Sequence, residues 1–146
     1  MKKIGIALLL SIATAAMATT PAGWKVVTDR RQTCQYAVPA DWSQDRLVSS
    51  SSVSPDKKSK VVIHGTQESL ADTKKDLQQT ITPEKTIEDS GKRFWFTFKS
   101  VTGAEGTNWY VGVPVSGGTC AAQISFKDAG AESTMKQIVE TVGAAK

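Results

Sequence analysis

The spacing of apolar and polar positions changes several times along the chain, and each change marks an expected element. Cys34, Tyr36 and Val38 alternate with Gln35 and Ala37. That is the two-residue period of a half-buried strand, and Pro39, which has no backbone N–H, ends it. Residues 24–28 read as a short strand ahead of it, residues 19–23 as a loose leader, and Trp42 falls at a turn. Residues 46–54 and 60–66 are β-like on either side of Pro55-Asp56-Lys57-Lys58. Proline presets a turn there and aspartate bonds back to the backbone, so the two segments are predicted to pair as a hairpin.

The period then lengthens. Ser69 is placed to cap a helix with Asp72 as its acidic partner, and Leu70, Leu77 and Ile81 fall near one face. A helix over residues 70–80 is predicted, ended ahead of Pro83. The strongest alternation in the chain follows: Phe94, Phe96 and Phe98 share one side of a strand, while Trp95, Thr97 and Lys99 share the other. Gly91 turns residues 85–89 back as its hairpin partner. Trp109, Val111 and Val113 alternate next, Gly117-Gly118 makes a turn, and Cys120, Ala122, Ile124 and Phe126 alternate in a last strand. Strands in immediate succession imply an antiparallel meander. Met135, Ile138, Val139 and Val142, at i, i+3, i+4 and i+7, form the stripe by which a closing helix lies on a sheet. The expected fold class is α+β, a central antiparallel sheet covered by helices.

The first eighteen residues stand apart from this pattern. Lys2 and Lys3 precede an uncharged run over residues 4–13, and Ala16 and Ala18 place small side chains ahead of Thr19. This is the charged, apolar, small-residue order of a secretory signal, with cleavage expected before Thr19. Ten helical residues rise only about 15 Å, against about 30 Å of bilayer core, so the run is too short for an anchor. The expected domain plan is a signal over residues 1–18 and one α+β domain over residues 19–146. The product would be periplasmic or secreted, with no membrane span. Loss of the two lysines lowers the net charge from +4 to +2. With basic and acidic residues mixed along the chain, no nucleic-acid footprint is expected.

Export also bears on the cysteines. A pair in a small exported domain is most simply one disulfide, Cys34 to Cys120, closing 86 residue steps. Such a loop constrains the unfolded chain by about 4 to 5 kcal/mol. Two buried thiols, or part of a metal site, are the competing readings.

Tyr36-Ala37-Val38-Pro39-Ala40-Asp41-Trp42 is similar to the aromatic-x-aliphatic-Pro-x-x-Trp opening strand of the Mog1/PsbP-like family. The Trp109 strand, the Ile124/Phe126 strand and the terminal helix through Val139 resemble the family's later elements. The resemblance implies an α/β/α sandwich, and it points to proteins that bind or assist larger assemblies.

Little in the chain points to catalysis. His64 is the single histidine, and no nucleophile-elbow motif accompanies it. His64 with Glu68 is not a recognisable metal-ligand spacing. The carboxylates Asp41, Asp45, Glu84, Glu88, Asp89 and Glu105 have no pairing that singles out two of them. Catalytic residues, metal and cofactors are therefore expected to be absent. The candidate binding surface is Lys57, Lys58 and Lys60 on the predicted hairpin, with Trp95 as an apolar anchor if it is not covered by a helix. The expected role is a non-enzymatic accessory whose partner is another envelope or secreted protein. A small-molecule carrier, an inhibitor or immunity protein and an envelope hydrolase are the alternatives.

Overall fold

The computed structural model describes residues 19–45, 47–48 and 50–146. The proposed signal segment, Arg46 and Ser49 lie outside the described residues. The chain forms β1 (Trp24–Thr28), β2 (Cys34–Pro39), β3 (Ser43–Gln44), β4 (Ser51–Val53) and β5 (Ser59–Thr66), then α1 (Leu70–Thr80). After these come β6 (Pro83–Asp89), β7 (Phe94–Phe98), β8 (Thr107–Val115), β9 (Gly118–Phe126), α2 (Glu132–Thr141) and β10 (Gly143–Ala144). The larger sheet runs β3-β4-β5-β9-β8-β7-β6, and β9 back to β6 is the meander that the alternation predicts.

The larger sheet is the central antiparallel sheet expected from the sequence, and a second, smaller sheet accompanies it. β1, β2 and the short tail β10 pair as a separate antiparallel sheet laid over a face of the larger one. The anchoring side chain is Tyr36, whose hydroxyl donates to Ser52 Oγ at 2.8 Å and lies 3.1 Å from the Ser50 carbonyl. Burial pushes its pKa up to about 12, so it stays a donor. The predicted strand over residues 46–54 is shorter than expected. The carboxylate of Asp45 accepts from the Leu47 and Val48 N–H groups, local bonds that compete with strand pairing, and β4 begins at Ser51. β3 and β10 have two residues each, too few to show any period.

Each face of the larger sheet has its own cover. On one face Phe94, Phe96 and Phe98 are buried beneath Leu70 and Leu77 of α1 and Ile81 just past its end, with Tyr110 alongside. Ser69 Oγ caps α1 by accepting from the Asp72 N–H at 3.1 Å. On the opposite face Val61, Ile63, Trp95, Trp109, Val111 and Ile124 meet Val27 and Val38 of the small sheet and Met135, Ile138, Val139 and Val142 of the α2 stripe. Trp109 holds the middle of this layer, with its ring edge-on to Trp95 at 4.9 Å and to Phe126 at 4.8 Å.

The two sheets are also joined covalently. Cys34 of β2 and Cys120 of β9 form a disulfide with Cα atoms 5.7 Å apart, as expected for the pair. Close approach at this joint depends on Gly65, where a Cβ would stand 2.7 Å from Thr33 Oγ1 and 3.2 Å from Cys34 Sγ.

Candidate functional site

The lysine-bearing hairpin is built on a closed set of hydrogen bonds. Ser54 N–H donates to the Ser59 carbonyl at 3.0 Å, and Lys57 N–H donates to the Ser54 carbonyl at 2.9 Å. Asp56 accepts from Ser54 Oγ at 2.6 Å and from the Lys58 N–H at 2.9 Å. The Ser54 hydroxyl holds the Asp56 carboxyl below its ordinary pKa, and the Lys58 N–H adds to this. Lys57 sits at φ 59°, a left-handed conformation that a side chain with a Cβ rarely adopts. The turn is thus fixed in backbone and exposed in side chain.

A fourth lysine joins the three expected from the sequence. Ser59 pairs with Phe126, and Lys127 N–H donates to the Lys58 carbonyl at 3.1 Å. Lys57, Lys58, Lys60 and Lys127 all are exposed. Among the described residues none of their ammonium groups makes an ion pair within 4.0 Å. Lys60 has a longer-range attraction to Asp45, whose pKa is lowered first by the Leu47 and Val48 N–H groups. The signal for Lys127 was latent in the sequence: both β5 and β9 are legible there, but not their adjacency.

Trp95 does not belong to this surface. It is 6% exposed, and the ladder places it in a row with Val111, Ala122 and Ile63, on the face opposite to Lys60 and Ser125. Of the two positions open to it, under cover or exposed, it takes the covered one, and the hairpin lysines and Trp95 are not brought together. Trp95 forms the floor of a groove of about 780 Å³ between α2 and the β6–β7 edge, with Ile87, Glu132, Ser133, Lys136 and Glu140 on its walls. Its buried Nε1 has no hydrogen-bond partner among the described residues.

Arg93 lines a neighbouring cleft of about 950 Å³, together with Val113, Val142 and Ala145. The guanidinium lies 5.6 Å over the Trp95 ring, bonds Glu88, and donates to Glu140 at 3.1 Å. Burial works against its charge, but the bonds to Glu140 and Glu88 outweigh it and raise the pKa further. Lys136 and Glu132 are likewise paired at 3.5 Å. Arg93, Glu88 and Glu140, and Lys136 with Glu132, therefore engage one another along these depressions.

His64 stands exposed on β5, opposite Ala121, and its imidazole makes no hydrogen bond among the described residues. Desolvation at the sheet surface holds its pKa below the ordinary value. A carboxylate of different character is Asp29, which is buried and accepts from the Thr33 N–H, Thr33 Oγ1 and the Cys34 N–H at 2.7 to 2.9 Å. Burial opposes its ionisation, yet these bonds together lower its pKa. It fastens the β1–β2 loop. Among the described residues no group of three His, Cys, Asp or Glu side chains is placed to hold a metal ion, and no helix is long and apolar enough to cross a membrane.

No protein-family model matches this sequence, and no curated protein matches it. Among solved structures the chain is similar to the solution structure of cyanobacterial PsbP (CyanoP) from Synechocystis sp. PCC 6803. The two share 10% identity with a TM-score of 0.47, over 90% of this chain and 98% of that one. A likeness of this degree carries no argument about function.

Proposed function

We propose that this protein is a non-enzymatic exported accessory that docks on a partner protein of the envelope or extracellular space through the β4–β5 turn. The observation that carries this reading is the turn itself. It presents Lys57, Lys58, Lys60 and Lys127 without ion-pair partners among the described residues, on a backbone held by Ser54 and Asp56. Exposed charge on a fixed frame loses little entropy when a complementary surface arrives. Export is supported by the signal-like order of residues 1–18 and by the Cys34–Cys120 bond, which belongs to an oxidising compartment. The intact mass of the exported protein should correspond to a chain beginning at Thr19 with no free thiol.

The functional test is crosslinking capture from the envelope fraction. Reversing Lys57, Lys58 and Lys60 to glutamate should abolish capture, and His64→Ala should leave it unchanged. Loss of activity with His64→Ala alone would instead favour the hydrolase reading. A small-molecule carrier is the second reading, favoured by the unpaired Nε1 of Trp95 on the floor of the α2 groove. A ligand seated there should shift tryptophan emission in the unmodified protein and leave Trp95→Phe without response.

A further inference from the structure

The ends of the two sheets are treated very differently. β6, the long outer strand of the larger sheet, opens on Pro83, carries Glu84, Lys85, Glu88 and Asp89, and slips register twice against β7. Those are the devices by which a sheet edge is kept from pairing with another chain. β3 and β10 are two residues long, too short to template a partner. β1 has none of these protections. It runs five residues without a proline or a register shift, and its one charged side chain, Lys25, is tied back to the Trp42 carbonyl.

The backbone groups of β1 that face outward follow from the ladder. Asp29 N–H donates inward to the Cys34 carbonyl at 2.9 Å, so by alternation Val27 and Lys25 also bond β2, while Val26 and Thr28 turn their N–H and C=O groups away. Ala37, which faces Val26, confirms the parity. Its N–H points to the other side of β2, where Thr141 Oγ1 accepts it at 2.8 Å. Trp24 N–H is occupied by the Pro21 carbonyl. Val26 and Thr28 make no backbone hydrogen bond beyond the hairpin among the described residues, and Val26 is 47% exposed.

We infer that β1 is a self-association edge, pairing antiparallel with β1 of a second copy about a two-fold axis at Val26. The sequence Trp24-Lys25-Val26-Val27-Thr28 is suited to its own reverse. Val26 of each copy exchanges N–H and C=O with Val26 of the other, and each Thr28 N–H reaches the Trp24 carbonyl left free by the Pro21 turn. Lys25 falls opposite Val27, so no like charges meet, and the two exposed valines form a β-branched cross-strand pair. The result is one small sheet continuous across both copies. An isologous contact of this size makes a weak, concentration-dependent dimer.

Sedimentation equilibrium of the oxidised protein should show monomer and dimer in a ratio that rises with concentration. Hydrogen exchange, which requires no substitution, should show the Val26 and Thr28 amides gaining protection over the same range, while β6 amides do not change. Val26→Lys sets like charges across the axis and should weaken the dimer about fivefold or more. Val26→Glu should do the same, and mixing the two variants should restore association. A wild type that stays monomeric with unchanged Val26 exchange overturns the proposal and leaves the edge to a foreign strand or to none. A dimer that Val26→Lys does not weaken, or one whose added protection appears elsewhere, overturns it equally.

Discussion

The two faces of the larger sheet are held by very different means. The α2 face is covered by two cooperating parts, the stripe of α2 and the β1–β2 hairpin with its buried Tyr36 hydroxyl, and a disulfide pins the assembly. The α1 face rests on three phenylalanines under a single helix, and the contact residues Leu70, Leu77 and, just past the helix end, Ile81 are only partly buried. Interiors that share many packed partners open together, whereas a lone amphipathic helix opens by itself. The α2 face should therefore set the global stability, and the α1 face should set the free energy of local opening.

The strongest test of this contrast lies in the α2 stripe and its staple. Ile138 is fully buried in the larger cluster, so Ile138→Ala should cost about 2 to 5 kcal/mol in denaturant unfolding. Cys34→Ser should cost about 2 to 5 kcal/mol as well. A loss near zero at Ile138 would mean that α2 is peripheral and that the two faces are not distinguished in this way. Gly65→Ala tests the same joint without chemistry at sulfur. Its new methyl would have to displace Thr33 Oγ1 from 2.7 Å and crowd the disulfide, a change that should cost about 1 to 3 kcal/mol.

The other face should respond less. Leu77→Ala removes a half-buried side chain and should cost about 1 to 2 kcal/mol. In native-state hydrogen exchange, α1 amides should open at lower free energy than those of α2. If Leu77→Ala equals Ile138→Ala and both helices exchange only on global unfolding, the domain is one cooperative unit and the contrast is false.

Legibility in the sequence followed the length and periodicity of each element. The α1 boundaries, the Phe94–Phe98 alternation, the α2 stripe and the cysteine pair were all readable, because each rests on side chains within one element or on the redox chemistry of export. The small sheet was not readable. Its separation from the larger sheet depends on Tyr36 reaching Ser50 and Ser52, a contact between segments whose relative placement no period encodes. Trp95 could be placed on a face but not assigned a cover, since that required knowing that α2 and Arg93 lie over the same side of β7. Lys127 shows the same limit at the candidate site. It stands beside Lys58 through strand pairing, and only the β5–β9 register reveals it.

The smallest expected effect separates function from packing at a position that belongs to neither face. Lys57 is exposed and holds φ 59°, a conformation costing a side chain roughly 1 kcal/mol that glycine adopts freely. Lys57→Gly relieves that strain but leaves a looser unfolded chain, so the net change should lie between zero and about 1 kcal/mol of added stability. Strain kept at an exposed lysine has no packing return, and strained backbone gathers where a surface is used for binding. Partner capture should therefore fall in Lys57→Gly while the melting temperature holds or rises. If capture is unchanged, Lys57 is a turn residue alone, and docking must rest on Lys58, Lys60 and Lys127 or lie outside this hairpin.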